Sequence, residues 1–313
     1  SPVTNVQDAN RVFDFLSSQR WATNMLTYVY GKQGVPTSYR EQDGFGVHAY
    51  KLYNDKGEYK YVKFNFRSKQ GVKGLNVKEA AEQQGKDFNH LTNDLYNNIY
   101  AGNFPKWDLY IQVLDPKDLG KFDFDPLDPT KIWPTELVPE TKVGTLTLNR
   151  MPKNFFNETE QSAFAPGNLV PGIEPSEDRL LQGRIFSYSD TQMYRLGANH
   201  QQIPVNRPVV NVNNNNQDGY MNISEHDSDV NYEPSRKEPK AATEKARAVQ
   251  TPLSGHVQQI GVKEQNFKQA GELYRSYTAK EKDDLIMNLT ADLGAVKDSE
   301  TKHIMLSYFY KAD

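Results

Sequence analysis

A mixed α+β fold is predicted by three observations on the 313-residue chain. Two alternating runs, FGVHAYKLY and EYKYVKFNF, flank the turn-forming NDKG and read as a β-hairpin. Two further strand patterns, WDLYIQVL and VGTLTLNR, follow intervening helical segments. The chain then closes on three successive amphipathic helical patterns, and no internal repeat is apparent.

Taken in order, residues 8 to 30 carry Val12, Phe13, Leu16, Met25, Leu26 and Val29 at roughly helical spacing, which predicts a helix. In the second hairpin run, Tyr59, Tyr61, Lys63 and Asn65 share one face. Val62, Phe64 and Phe66 share the other, and their hydrophobicity predicts that theirs is the core face. Helices are expected around VKEAAEQQ and FNHLTNDLYNNIY, and the α+β part is expected to end near residue 150. Residues 151 to 250 change in texture: they are rich in Pro and Asn and include NVNNNNQDG. Residues 225 to 250 read as solvated linker, whereas NFFNETEQSAFAPGNLVPG is too aromatic for one. In the last part, VKEQNFKQAGELYRSY, AKEKDDLIMNLTADLG and SETKHIMLSYFYKA are expected helices. Leu273, Leu285, Ile286, Leu289, Leu293, Ile304, Met305 and Phe309 would supply their core.

Composition excludes several chemistries. The chain has no cysteine, which removes disulfides, thiolate metal sites and cysteine nucleophiles. A net charge of −3 without a basic block gives no electrostatic basis for nucleic-acid binding. No apolar run reaches the length of a membrane span. The mean hydropathy of −0.78 is low for a compact globule of this length. Long polar connections, or surface buried in an oligomer, would account for it.

Most motif matches fail on context. GFGVHA, residues 44 to 49, fits a dinucleotide-binding glycine template, but a strand pattern follows it where a helix is required. The six histidines at 48, 90, 200, 226, 256 and 303 lack metal-ligand spacing.

One segment resists dismissal. In RLLQGRIFSYSDTQMYRLG, Arg184 precedes Tyr188 by one helical turn, and Arg195 lies about three turns from Arg184. On a helix, all three side chains share a face. A phenol ordinarily ionises near pH ~10 and needs an adjacent cation to serve as an anionic iron ligand at neutral pH. A second arginine could hold a carboxylate bidentately. The spacing alone favours a core-facing tyrosine whose arginine neighbours extend to water.

The residue identities add a resemblance. RIFSYSDTQ resembles the proximal haem-ligand segment of the haem catalases. NFFNETEQSAFAPGNLVPGIEP, LLQGRIFSYSDTQMYRLGANHQQIPVNRP, KWDLYIQVLDP, FDFDPLDPTKIWP and GFGVHAYKLYN resemble other segments of that family, in the family's order. The resemblance implies a haem b cofactor and hydrogen peroxide as substrate, disproportionated to water and oxygen. It implies that Tyr188 is the iron ligand, held as phenolate by Arg184, with Asp178 and His48 bracing Arg184. It also implies that Arg195 meets a haem propionate, and that Gly46, Val47, Phe164, Leu180, Ser187 and Gln192 line the haem.

The fold implied is the later half of an antiparallel β-barrel, a wrapping segment and an all-α domain. The corresponding expected regions are a helical lead-in over 1–37, a barrel portion over 38–150, a wrapping segment with the ligand helix over 151–250, and a helical domain over 251–313. A homotetramer is the implied assembly.

Departures from the family shape the functional expectation. No counterpart of the distal histidine or asparagine is found, so the chain resembles a catalase without its N-terminal distal-side segment and without a short C-terminal tail. A complementary N-terminal polypeptide would then complete the enzyme; otherwise the chain is a non-catalytic, haem-binding or oligomerising fragment. Asn24, Gly31, Gln33, Arg67 and Thr135 replace most polar NADPH contacts of related catalases, while Tyr28 and Trp133 keep aromatic platforms, so weak or no NADPH binding is expected. A cytoplasmic location is expected, with the periplasm as the alternative.

Overall fold

The computed structural model describes residues 1–210, 212, 215–218, 222, 229–232, 235–237 and 265–313. The expected linker at 225 to 250, His226, His256 and the start of the VKEQNF helical pattern lie wholly or largely outside these residues. The chain forms two compact units. Unit 1 comprises Ser1–His48, Val62–Arg150 and Gln258–Asp313, and unit 2 comprises Ala49–Tyr61 and Met151–Val257. Among the described residues, no helix is long and apolar enough to cross a membrane.

In unit 1, the expected helix over 8 to 30 is two helices, α1 (Ala9–Ser17) and α2 (Thr23–Tyr30), separated by a 3₁₀ turn at Arg20–Ala22. The break is local chemistry: the hydroxyls of Ser17 and Ser18 donate back to the carbonyls of Asp14 and Phe15 at 2.7 and 2.8 Å, competing with helix continuation. Two further helices follow the first strands, α3 (Val77–Lys86) and α4 (His90–Tyr100). Helix α3 opens with a capping box in which Asn76 and Glu79 satisfy each other's backbone N–H groups.

The C-terminal helices are α6 (Lys268–Ser276), α7 (Ala279–Gly294) and α8 (Ser299–Ala312). Phe13, Leu26, Leu293, Val296 and Met305 form one buried cluster, so the lead-in helices and the C-terminal helices share a core. Of the residues expected there, Leu285 is buried and Leu289 and Phe309 pack at the margin, but Ile286 is half exposed. The 3.6-residue period turns Ile286 away from the stripe occupied by Leu285, Leu289 and Leu293.

The strands are β1 (Gly44–Phe45), β2 (Tyr50–Tyr53), β3 (Tyr59–Ser68), β4 (Lys106–Leu114), β5 (Glu140–Thr147) and β6 (Ile173–Pro175). They run in the order β5-β4-β3-β2-β6, with β1 also paired to β3. The pairings of β1 with β3, β4 with β5 and β2 with β6 are antiparallel.

The burial of β3 reverses the expectation. Val62 is fully buried, but its facemates Phe64 and Phe66 are only half-buried, whereas Lys63 and Asn65 are buried. The cause is the connection between β4 and β5, whose Phe122, Phe124, Trp133 and Val138 are buried and whose Lys131 carbonyl receives Lys63. Lys63 Nζ donates to the Lys131 carbonyl at 3.0 Å and sits 5.1 Å from the Trp133 ring centre. Asn65 donates to Gln112 on β4 at 3.2 Å, and Gln112 in turn donates to the carbonyls of Trp133 and Val138. Buried polar groups with partners of this kind cost little, so the polar face can be the covered one.

In unit 2, the hairpin turn falls at NDKG as expected. Asn54 Oδ1 accepts from the N–H groups of Lys56 and Glu58, and Gly57 adopts a positive φ of 79° that favours glycine. Strand β2 pairs with β6 in the register Tyr50↔Pro175, Lys51↔Glu174 and Leu52↔Ile173. From β6 the chain turns directly into α5 (Arg179–Leu196), the segment singled out in the sequence.

Candidate functional site

Helix α5 starts where it does because Asp178 caps it. This buried carboxylate accepts from the N–H groups of Leu180 and Leu181 at 2.9 and 3.0 Å. The joint ahead of it is tied twice: the Ser176 hydroxyl donates to the Ala49 carbonyl of the hairpin, and Gln182 Nε2 donates to the Ser176 carbonyl. Leu181 is fully buried and fixes the helix's rotation.

On this helix Arg184 and Tyr188 meet as their spacing predicts. Arg184 Nη2 donates to the Tyr188 hydroxyl at 3.2 Å, and the guanidinium carbon lies 5.1 Å from the ring centre. A permanent cation is therefore held on the phenol oxygen. Tyr50 on β2 belongs to the same electrostatic neighbourhood: burial raises its pKa, Arg184 opposes the rise and Asp178 adds to it. The sequence carried no sign of Tyr50, because its place beside α5 depends on the β2–β6 pairing.

Arg195 is placed differently from Arg184. Its Nη1 donates to the Glu160 carbonyl at 2.9 Å, and its Nη2 donates to the Ser162 carbonyl at 2.7 Å. Nε and Nη2 also donate to Gln192 Oε1. Those carbonyls come from the π-helical turn Phe156–Glu160 and the residues just after it. Four of the five guanidinium N–H groups are thus engaged, which leaves one for an incoming carboxylate rather than the pair a bidentate contact needs. Gln192, buried, completes the link by donating to the Phe164 carbonyl at 3.1 Å.

The remaining expected residues of unit 2 present surface. Phe164 is 83% exposed and Leu180 53%. Ser187 is exposed and donates to the Arg184 carbonyl at 3.2 Å. Gly46, Val47 and His48 belong to unit 1. His48 is buried and Val47 half exposed. At Gly46 a Cβ would lie 2.4 Å from the Phe64 carbonyl oxygen, so this backbone approach requires glycine.

The family profile described as "Catalase" matches residues 1–239, and one described as "Catalase-related immune-responsive" matches residues 261–313. The chain belongs to the catalase family. The catalase of Vibrio vulnificus (strain YJ016) is 63% identical over 319 residues, covering the whole of this chain and 62% of that relative. The catalase of Pseudomonas aeruginosa is 59% identical, covering the whole chain and 60% of its own length. Among solved structures, catalase A from Saccharomyces cerevisiae superposes with a TM-score of 0.90 at 32% identity, over all of this chain and 67% of the yeast one. A bacterial catalase gives a TM-score of 0.88 at 32% identity, over 99% of this chain and 65% of its own. The chain thus spans less than two thirds of the length of the curated catalases it matches.

Catalase membership implies a haem cofactor, and the donor set of unit 2 fits one. Among the described residues, no group of three or more His, Asp or Glu side chains is placed to hold a bare metal ion. A single phenol oxygen under a guanidinium suits an iron whose other ligands come from a macrocycle. The exposed Phe164 and Leu180 suit the apolar faces of such a group.

Proposed function

We propose that this chain supplies the proximal haem side of a catalase that disproportionates hydrogen peroxide to water and oxygen. The observation that carries the reading is the Arg184–Tyr188 hydrogen bond on a capped helix, in a chain of the catalase family. When bound, haem b supplies an iron that peroxide oxidises and a second peroxide reduces.

The chain's own residues prepare that chemistry. Tyr188 would be the iron ligand, and Arg184 would steady its oxygen through the hydrogen bond it donates there. Asp178 anchors the N-terminus of the helix that carries both. Arg195 offers its remaining N–H to a propionate, while Gln192 holds Arg195 and the Phe164 segment in place. Phe164, Leu180 and Ser187 line the group. Proton transfer on the peroxide is the work of a distal histidine and asparagine that lie outside these 313 residues, and the assembly is a cytoplasmic homotetramer.

NADPH binds weakly or not at all in this reading. Arg67, at a position where related catalases contact the nucleotide, is already paired with Asp43 at 3.3 Å and with Glu140. Titration of the purified protein with NADPH should show no saturation in the micromolar range.

The ligand assignment is tested by Tyr188→Phe. Haem-loaded protein should show a high-spin ferric spectrum and, with the distal residues supplied, evolve oxygen from peroxide; the variant should lose both. An unaltered haem spectrum in the variant would exclude Tyr188 as the ligand.

A further inference from the structure

Unit 2 contains a second tyrosine–charge arrangement that the haem reading does not use. Tyr61, buried on β3, donates from its hydroxyl to Glu177 Oε2 at 2.8 Å. Glu177 is also ion-paired with Lys51 Nζ. The rings of Tyr61 and Tyr59 meet edge-on with centres 5.5 Å apart, and those of Tyr59 and Tyr53 lie 5.2 Å apart. A row of three rings therefore runs from a buried tyrosine to two half-buried ones at the hairpin.

We propose that Tyr61 is a redox-active tyrosine whose phenolic proton is taken by Glu177 as an electron leaves the ring. The proposal rests on the haem reading for its oxidant, the peroxide-oxidised haem iron. In the forward step the ring loses one electron, which reduces that oxidant by one equivalent. The O–H bond of Tyr61 breaks, and its proton forms an O–H bond on Glu177. The products are a neutral tyrosyl radical and a carboxylic acid. In the return step a one-electron donor, a small phenol or aromatic amine, reduces the radical through the Tyr59–Tyr53 edge. Glu177 then gives the proton back, and the donor releases its own to water.

Three features favour this assignment. Burial pushes the Glu177 carboxyl upward, but hydrogen bonds from Lys51 and Tyr61 outweigh it and hold the group below its ordinary range, so it is an anion ready to accept. Burial and the Glu177 hydrogen bond raise the Tyr61 phenol, so it holds its proton until the electron goes. Lys51 Nζ lies 4.9 Å from the Tyr59 ring centre but 5.8 Å from that of Tyr61, so the cation opposes oxidation of Tyr59 more strongly. The oxidising equivalent thus rests on Tyr61.

Position favours it too. Glu177 directly precedes Asp178, the cap of α5, and Tyr188 lies about 15 Å along the helix axis from that cap. Tyr50, which senses both Asp178 and Arg184, lies on the intervening strand.

The test has two arms. The first needs no haem: flash photo-oxidation with tris(bipyridine)ruthenium and a sacrificial acceptor, read by electron paramagnetic resonance on protein with ring-deuterated tyrosine. Tyr61→Phe should lose one tyrosyl component, and Glu177→Gln, which leaves the ring in place, should slow its formation. A spectrum unchanged by the first variant and a rate unchanged by the second would overturn the proposal. The second arm freeze-quenches haem-loaded protein after peroxide. The same component appearing there supports the haem-linked step. Its absence from protein that evolves oxygen overturns that step and leaves the haem reading standing. If no oxygen evolves even with the distal residues supplied, the haem reading fails, and the flash arm alone decides the Tyr61–Glu177 pair.

Discussion

Replacing Asp178 separates two roles that its position combines. As a cap, its carboxylate satisfies two N–H groups at the start of α5 from a site that is 1% exposed. Removing a side-chain cap costs typically ~1 kcal/mol and up to ~2. Losing a negative charge at a helix N-terminus adds about 0.3–1 kcal/mol at an exposed site and more at a buried one. Asp178→Ala should therefore destabilise the first turn of α5 by roughly 2 kcal/mol. Asp178→Asn keeps a capping oxygen and should lose only the charge contribution. At about 1.4 kcal/mol per factor of ten, the alanine variant should raise local opening at Leu180 and Leu181 by roughly 30-fold. Amide hydrogen exchange at those two positions reads this directly. Equal exchange in the alanine and asparagine variants would refute the capping argument. A second readout isolates the bracing role: if the charge steadies Arg184, haem-loaded Asp178→Asn should show an altered ferric spectrum while its α5 amides stay protected.

Two further outcomes follow from unit 1. Burial pushes the Glu41 carboxyl up, but hydrogen bonds from Lys73, Thr37 and Ser38 and the Lys73 charge outweigh it and hold its pKa at about 2. A depressed folded-state pKa contributes stability that is fully present above the unfolded value near ~4.3 and is lost as pH falls toward the folded one. Glu41→Gln should therefore flatten the fall in stability over that interval, measured by denaturant titration at successive pH values; an unchanged slope would count against the Lys73–Glu41 pair. Gly271→Ala tests the α6–α8 approach, where an added Cβ would lie 1.9 Å from the Ala312 carbonyl oxygen. Overpacking of this kind costs about 1–3 kcal/mol, against a gain of up to ~1 from helix propensity, so the denaturation midpoint should fall. A midpoint at or above that of the parent would show that the helices can part without cost.

Much of the architecture was legible because its signals are local. Helices α7 and α8 span the two segments expected from their patterns, and each start is marked by a residue that caps it, Thr278 with Glu281 and Asp298. The NDKG turn and the Arg184–Tyr188 contact depend on residues a turn apart, which pattern and spacing address directly. The serine back-bonds that split the first helix are equally local, but periodicity of apolar residues does not register hydroxyls.

Chain order and residue identity by themselves determined the α+β class, the catalase resemblance and the pairing of one arginine with one tyrosine. The tertiary structure decided which face of β3 is covered, because Lys63 and Asn65 find their partners on a loop and a strand far along the chain. It also placed the Tyr61 hydroxyl on the carboxylate of Glu177, and it committed Arg195 to the carbonyls of Glu160 and Ser162. A hydrophobic pattern reports what a residue would leave water to avoid. Whether a buried lysine, tyrosine or arginine is tolerated depends on which acceptors the rest of the chain brings to it, and that is settled only when distant segments meet.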